Sequence, residues 1–432
     1  VHTQPSITAC PGCDLLIPVA HVPDDHYSTC GRCGTVLFKS RHNSIDRVTA
    51  LGFAGLLLYP LAIFLPLMTL SSLGMKEQSS VFESAIDFYL NEHYIVSIIT
   101  FLTAVIVPFL KLLIPFVTAL SIKFGKHPPG LISAFKLHKH LEEWGMVEIF
   151  LLGILITLIK MGDVAKVHFN LGFFSFIGLV LLSMAVSVCI DRKLFWQCLD
   201  RSPPPESDAE IERIADRLDN NPGPGVTARS LGLMRCHDCD RIIKVASNDS
   251  ATVCPRCGSD AHFRTARSIS KTWALIITSM ILFIPANTLP IMEVSFLGVP
   301  DRSTILDGII YFLKHGSIGI GLIILIASIL VPLFKIIGMA IILISIRSGK
   351  NRYLKQKSKM FRFIEFIGRW SMLDIFVVAL LSVLVDFGFL TSIHTAQGAT
   401  YFSVVVVATM CAAIVFDPRI LWDRCDPLDA SR

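Results

Sequence analysis

The chain has 432 residues, 53% of them hydrophobic and 17% charged, with a mean hydropathy of +0.61 and a formal net charge of +5. This balance excludes an ordinary soluble domain and puts a membrane protein first. The surplus Lys and Arg gather in particular loops rather than along one face, which favours membrane topology over nucleic-acid binding, so no nucleic-acid partner is expected.

Residues 1–42 are polar and do not begin with a basic start and a short apolar core, so this end of the chain is expected in the cytosol. They carry Cys10-x2-Cys13 and Cys30-x2-Cys33. In a reducing compartment such pairs read as metal ligands or redox couples before structural disulfides. Two opposed C-x2-C turns bring four thiolates together around one cation, the pattern of a zinc ribbon, with iron as the other metal candidate. Four thiolates leave no open coordination position, so a structural role is expected, and metal binding would supply most of the folding free energy of so small a unit. Gly34 and Gly258 follow the last cysteine of each ribbon and suit the tight turn that points N–H groups at sulfur.

Residues 43–196 form the first membrane domain, with apolar segments over 47–70, 95–122, 144–161 and 171–190, each near the roughly 20 residues that cross the hydrocarbon as a helix. A hydrated linker rich in Pro, Asp and Glu is expected within 197–231. Residues 232–266 repeat the ribbon with Cys236, Cys239, Cys254 and Cys257. Residues 267–424 repeat the membrane domain, with segments over 272–295, 317–346, 368–386 and 398–416, and 425–432 are a tail.

The repetition is close. Phe64-Leu-Pro-Leu-Met68 matches Thr288-Leu-Pro-Ile-Met292, and Val107-Pro-Phe-Leu-Lys111 matches Val331-Pro-Leu-Phe-Lys335, both at a separation of 224. Farther on, Trp144 to Phe150 matches Trp370 to Phe376 at a separation of 226. Copies in the same order put both ribbons on one side of the membrane, which requires an even number of crossings per half. The expected fold is therefore an all-α polytopic membrane protein with small zinc ribbons, a tandem parallel repeat of about eight transmembrane helices. Loop charge supports the orientation: 347–369 holds eight Lys or Arg, whereas 71–94 holds only Lys76, so ribbons, basic loops and both termini are expected to be cytoplasmic.

Lys111 and Lys335 interrupt apolar runs three residues after a proline. Each either snorkels to the cytosolic boundary or pairs with an acid on the third helix of its half, Glu148 or Asp374, with Ser371 and Thr409 near enough to complete a polar cluster. Lys160, Asp163 and Asp386 read as far-interface residues. Prolines such as Pro60, Pro108, Pro285 and Pro332 are expected to bend helices and free carbonyls.

The two ribbons, Pro285-Ala-Asn-Thr-Leu-Pro-Ile-Met292, Gly368-Arg-Trp-Ser-Met-Leu-Asp374 and Phe416-Asp-Pro-Arg-Ile-Leu-Trp-Asp423 resemble the paraquat-inducible protein A family. The resemblance covers nearly the whole chain and is best in the second half. It implies a protein of the Gram-negative inner membrane that works with a periplasmic MCE-domain tunnel protein and moves phospholipid or another lipid between the two membranes. In a related branch a polar cluster in the membrane domain is thought important, and by motif it corresponds here to Lys160, Asp163, Lys335, Ser371, Asp374 and Thr409. The first half has Gly145 and Glu148 where Ser371 and Asp374 stand, so the halves are expected to differ and the lipid pocket to lie in the second.

No G-x-x-x-x-G-K-[ST] loop is present, so ATP hydrolysis is not argued, and a proton gradient acting through Asp374, Asp163 and the lysines is the available driving source. A non-enzymatic transporter is the expectation. The alternatives are a membrane thiol oxidoreductase using the C-x-x-C pairs and a passive anchor for the tunnel protein.

Overall fold

The computed structural model describes residues 7–18, 26–72, 75–90, 94–144 apart from 127 and 129, 166–200, 225–245, 252–296, 299–314, 318–349, 353–368 and 391–423, with 151, 154, 211 and 213–215. The first ribbon is two hairpins, β1 (Ile7–Ala9) with β2 (Leu16–Pro18) and β3 (Tyr27–Thr29) with β4 (Val36–Lys39).

α1 (Ser44–Phe64) follows, then the antiparallel strands β5 (Met68–Ser72) and β6 (Met75–Ser79), and the short helices α2 (Val81–Leu90) and α3 (Tyr94–Phe101). A π-helical turn over Leu102–Ile106 joins α3 to α4 (Val107–Lys123). α5 (Leu131–Trp144), β7 (Lys166–Phe169), α6 (Leu171–Cys189) and α7 (Arg192–Leu199) complete this part, with α1 packed along α6 and α4.

The same succession of elements occupies the later residues. The second ribbon has β8 (Leu233–Arg235) with β9 (Ile242–Lys244) and β10 (Thr252–Val253) with β11 (Asp260–Ala261). α8 (Ser268–Thr288), β12 (Met292–Phe296), β13 (Val299–Ser303), α9 (Ile305–Lys314) and α10 (Ile318–Ile324) follow. A π-helical stretch over Leu325–Leu330 leads into α11 (Val331–Arg347), and then come α12 (Leu354–Gly368), β14 (Thr391–Thr395), α13 (Gln397–Val415) and α14 (Ile420–Asp423).

Six helical stretches among the described residues are long and apolar enough to cross a membrane: Ser44–Phe64, Leu102–Lys123, Leu171–Cys189, Ser268–Thr288, Gly321–Arg347 and Gln397–Val415. Their outer faces carry Leu57, Leu181, Ile281 and Ile284, all more than 60% exposed, the surface a lipid solvent requires of a membrane protein. The expected third spans, 144–161 and 368–386, lie almost wholly outside the described residues.

Both first spans end sooner than their apolar runs suggest. Expected over 47–70 and 272–295, the helices stop at Phe64 and Thr288, where Leu65 and Leu289 turn extended. Each precedes a proline, Pro66 or Pro290, whose ring disfavours a helical residue before it. The apolar residues beyond are strands. β5 is the centre of a sheet in the order β6-β5-β7, and β12 of one in the order β13-β12-β14, all antiparallel. These sheets pin the start of each last span beside the end of the first, and they tighten the contact further at Gly172 and Gly398. A Cβ at Gly172 would lie 2.5 Å from the Pro66 carbonyl oxygen, and one at Gly398 would lie 2.5 Å from that of Pro290.

The π turns stand immediately before Val107-Pro108 and Val331-Pro332, where a missing proline N–H interrupts the helical ladder. In the first half the Tyr59 hydroxyl donates to the Val105 carbonyl at 2.6 Å, capturing an acceptor in the widened turn.

The segments expected as basic loops are helices. α5 and α12 follow short turns at Gly125 and Gly349, both with positive φ, and run back toward the membrane with one buried face, through Phe135 and His138 in α5 and Phe361 and Ile364 in α12. The two ends of 197–231 are ordered: Leu199 closes α7, and Val226 and Ala228 bond with Leu16 and Asp14 of the first ribbon.

Candidate functional site: two thiolate clusters and a buried membrane lysine

Each C-x2-C pair caps a hairpin. The Cys10 N–H donates to Leu15 and the Cys30 N–H to Thr35, and the same turn recurs from Cys236 to Arg241 and from Cys254 to Ser259. The residue after the second cysteine takes a positive φ in all four turns. It is Gly34 at 75° and Gly258 at 67°, as their positions suggest, but Asp14 at 61° and Asp240 at 62° in the other two. Aspartate is one of the few residues with a side chain that enters this region readily.

The turns bring the sulfurs together. Cys10 and Cys33 lie 3.4 Å apart and Cys13 and Cys30 3.6 Å, while Cys236 to Cys257 and Cys239 to Cys254 are each 3.5 Å. All eight cysteines are buried and none is in a disulfide. Zn–S bonds of about 2.3 Å in a tetrahedron give S···S edges of roughly 3.8 Å, close to these spacings. The crowding raises the Cys13 and Cys239 thiols above their ordinary range through their cysteine neighbours and lowers Cys33 and Cys257. Four buried thiolates this close demand a cation, and each quartet could hold one metal ion.

The ribbons are crossed between the halves. The first shares an apolar cluster with Ile336, Met339, Phe361, Phe416 and Trp422, all from the second half. The Arg362 guanidinium of α12 donates to the Cys33 carbonyl at 3.0 Å and the Thr35 hydroxyl at 2.8 Å, and Arg32 lies over the Trp422 ring. The second ribbon's cysteines cluster with Phe135, Phe195 and Trp196 of the first half. From α5, Lys136 donates to Ser259 at 3.1 Å and Lys139 to the His237 carbonyl. From the end of α7, Asp200 accepts from Arg256 at 2.7 Å and Arg241 at 3.2 Å.

Within the membrane region, Lys335 is 1% exposed and Lys111 4%. Each stands twelve residues before the basic end of its helix, Lys123 or Arg347, a rise of about 18 Å. Burial by protein at that depth is not the arrangement of a snorkelling side chain. Thr409 is also buried, on α13, and its hydroxyl donates to the Val406 carbonyl at 2.9 Å. α13 packs against α11, which carries Lys335. Glu148, Lys160, Asp163, Ser371 and Asp374 lie outside the described residues, so the structure brings together only Lys335 and Thr409 of the expected cluster at the level of helix packing.

Three polar atoms that sequence reasoning did not single out, Ser183 Oγ, Asn287 Oδ1 and Ser328 Oγ, are buried in the spans without a hydrogen-bond partner among the described residues. A lone hydroxyl or amide in an apolar run carries no local signal of burial. His138 was missed for the same reason. It is 3% exposed, stacks on Phe135, and meets the backbone of Lys111.

The family profile described as Paraquat-inducible protein A matches residues 45–200 and 269–426. The chain is similar to Intermembrane transport protein PqiA of Escherichia coli strain K12, 32% identical over 96% of this chain and 95% of that one. It is also similar to Lipophilic envelope-spanning tunnel protein A of the same strain, 30% identical over 96% of this chain and 90% of the relative. A Probable intermembrane transport protein of Haemophilus influenzae is 26% identical over 97% and 96%. No solved structure matches.

Proposed function

This chain belongs to the paraquat-inducible protein A family, and on that premise we propose that it is the inner-membrane component of an MCE-associated lipid transport system. In this reading it exchanges lipid between the inner membrane of a Gram-negative cell and a periplasmic MCE tunnel, supporting the outer membrane. The observation that carries it is Lys335, 1% exposed and about 18 Å along its helix from the basic end, in a chain covered over 96% of its length by relatives named Intermembrane transport protein PqiA and Lipophilic envelope-spanning tunnel protein A. An ionisable group at that depth is costly unless a site uses it.

The finer parts of the reading follow from the same premise. The chain is a tandem parallel repeat of about eight crossings divided as 1–42, 43–196, 197–231, 232–266, 267–424 and 425–432, with ribbons and termini cytoplasmic. Lys160, Asp163, Lys335, Ser371, Asp374 and Thr409 form the transport cluster, Lys111 and Glu148 its weaker counterpart, and the lipid pocket lies in the second half. Zinc fills both cysteine quartets; it supplies folding free energy there and no catalytic position, and the protein is not an enzyme. Burial of all eight thiols supports this over a thiol oxidoreductase, whose cysteines must meet a partner.

The test is single Ala substitution of Lys335 and Asp374, scored for membrane insertion, metal content, co-purifying or crosslinked lipid, and envelope-barrier function in cells lacking redundant transporters. Loss of lipid capture and barrier function with folding and partner binding intact is the expected result. Variants that carry lipid and protect cells like wild type would reduce the protein to an anchor.

A further inference from the structure

Where the crossed ribbons meet the inner ends of the membrane helices they enclose a cleft of about 490 Å³. That volume lies in the range of sites that hold small molecules. Its floor is apolar and belongs to the membrane domain: Phe361 of α12 with Met410, Ala413 and Ile414 from the last turns of α13. Its walls are cationic. Lys139, Arg192, Arg235, Arg362 and Arg419 line it against Glu142, Glu365 and Asp417, five cations to three acids.

Three of the five cations have acidic partners. Arg192 pairs with Glu142, Arg235 with Asp240, and Arg419 with Asp417. Lys139 donates instead to the carbonyl of His237, and Arg362 to the carbonyl of Cys33 and the hydroxyl of Thr35. Neutral acceptors orient these two groups, one from each half, over the same apolar floor; Glu365 in the lining and Asp238 and Asp240 beside Lys139 offset part of their charge, and the lining itself keeps five cations to three acids. An inorganic ion would need the cations and have no use for the floor; a hydrocarbon chain would need the floor alone. An anionic amphiphile at the membrane boundary uses both, and basic pockets between membrane helices are where anionic head groups bind.

We propose that this cleft binds the phosphate head group of an anionic lipid, held by Lys139 and Arg362 at the ribbon face of the membrane domain. Phosphate oxygens accept from the Lys139 ammonium and the Arg362 fork, while the glycerol end rests on Met410 and Ala413. The cleft is distinct from the buried lysine of α11, which does not line it. Binding is the only readout used, so the inference stands or falls apart from the transport reading.

The experiment uses the full chain with its metals in nanodiscs, comparing retention of phosphatidylglycerol and phosphatidylcholine by native mass spectrometry. The wild type is expected to prefer phosphatidylglycerol by about tenfold, the value of one charge-assisted contact. Lys139→Gln with Arg362→Gln should bring the preference near parity while metal content stays at the wild-type value. Ala413→Phe keeps every cation and fills the floor, so it tests the cleft even if the double variant sheds a ribbon; it should weaken phosphatidylglycerol retention about tenfold as well. Equal retention of the two lipids by the wild type, or an undiminished preference in Ala413→Phe, overturns the proposal. Displacement of the lipid by glycerol phosphate at equal concentration overturns the lipid source and leaves a site for soluble phosphate esters.

Discussion

Arg264 donates to Asp14 at 3.1 Å across 250 residues of sequence, tying the exit of the second ribbon to the first. The same guanidinium reaches Asp423 at the end of the chain's last helix, with its Nε 2.9 and 3.1 Å from the two carboxylate oxygens. One side chain thus joins three parts of the molecule. Burial pushes the Asp14 carboxyl up, against the pull of Arg264, so its charge depends on that partner.

Arg264→Gln should therefore cost about 1 to 3 kcal/mol, since buried Asp14 loses its hydrogen-bonded cation while Asp423 keeps Arg229 at 3.5 Å. Adding Asp14→Asn should recover part of the loss. Denaturant unfolding of the single and double variants checks this. Equal stability of the two would mean that Asp14 does not bear on the junction.

The crossing of the ribbons makes a spatial prediction about metal. Wild-type protein should carry two ions per chain, and Cys13→Ser or Cys239→Ser should each remove one. Loss at the first ribbon should raise hydrogen exchange over 354–368, the helix that holds Arg362, whereas loss at the second should raise it over 131–144, which carries Lys136 and Lys139. If each ribbon served its own half, the two patterns would be reversed.

Gly172→Ala and Gly398→Ala should each destabilise by about 1 to 3 kcal/mol, because the new methyl meets a backbone carbonyl that cannot swing aside. Gly319, helical and with nothing within 4 Å of its added Cβ, is the control, and Gly319→Ala should be neutral or stabilising by up to about 1 kcal/mol. Thermal melts of detergent-solubilised protein would separate the three.

His138 should make the protein sensitive to mild acid. Burial, then the charges of Arg192 and Lys111, push it down to about 3, so it is neutral when folded and titrates near 6.5 when unfolded. The unfolded state then takes up more protons between those values. Stability is complete above about pH 6.5 and falls below it, by about 1.4 kcal/mol at pH 5.5. His138→Ile should abolish this loss, and Ile364 shows that the matching place in α12 accepts that side chain fully buried. Comparing the stability difference between pH 7.5 and 5.5 in both proteins cancels any effect of acid on the metal sites they share.

Local chemistry alone determined a good deal here. Two C-x2-C pairs per ribbon, apolar runs of membrane length and prolines at Pro66, Pro108, Pro290 and Pro332 each act within a few residues of themselves. The quartets, six of the spans and the irregular turns at Pro108 and Pro332 were legible for that reason, whereas Pro60 and Pro285 lie inside continuous helices and the ends at Pro66 and Pro290 were overrun. The first spans were also carried too far: Met68 to Leu70 continue an apolar run and Met292 to Ser295 border one, but both are strands, paired with β6 and β13 just after them and with β7 and β14 about a hundred residues later.

The tertiary structure decided what depends on distant partners. Nothing in the sequence of either ribbon says which half it will sit on, since the halves offer similar aromatic and basic surfaces. The choice rests on contacts such as Arg362 with Cys33 and Asp200 with Arg256. The lysine-rich stretches around Lys139 and Arg362 read as loops because their charges mask a single apolar face, and that face became helical only by packing against the spans. Lys335 was visible as an ionisable residue in an apolar run, but its burial required the helices around it to close, and that is a property of the assembled fold rather than of any segment.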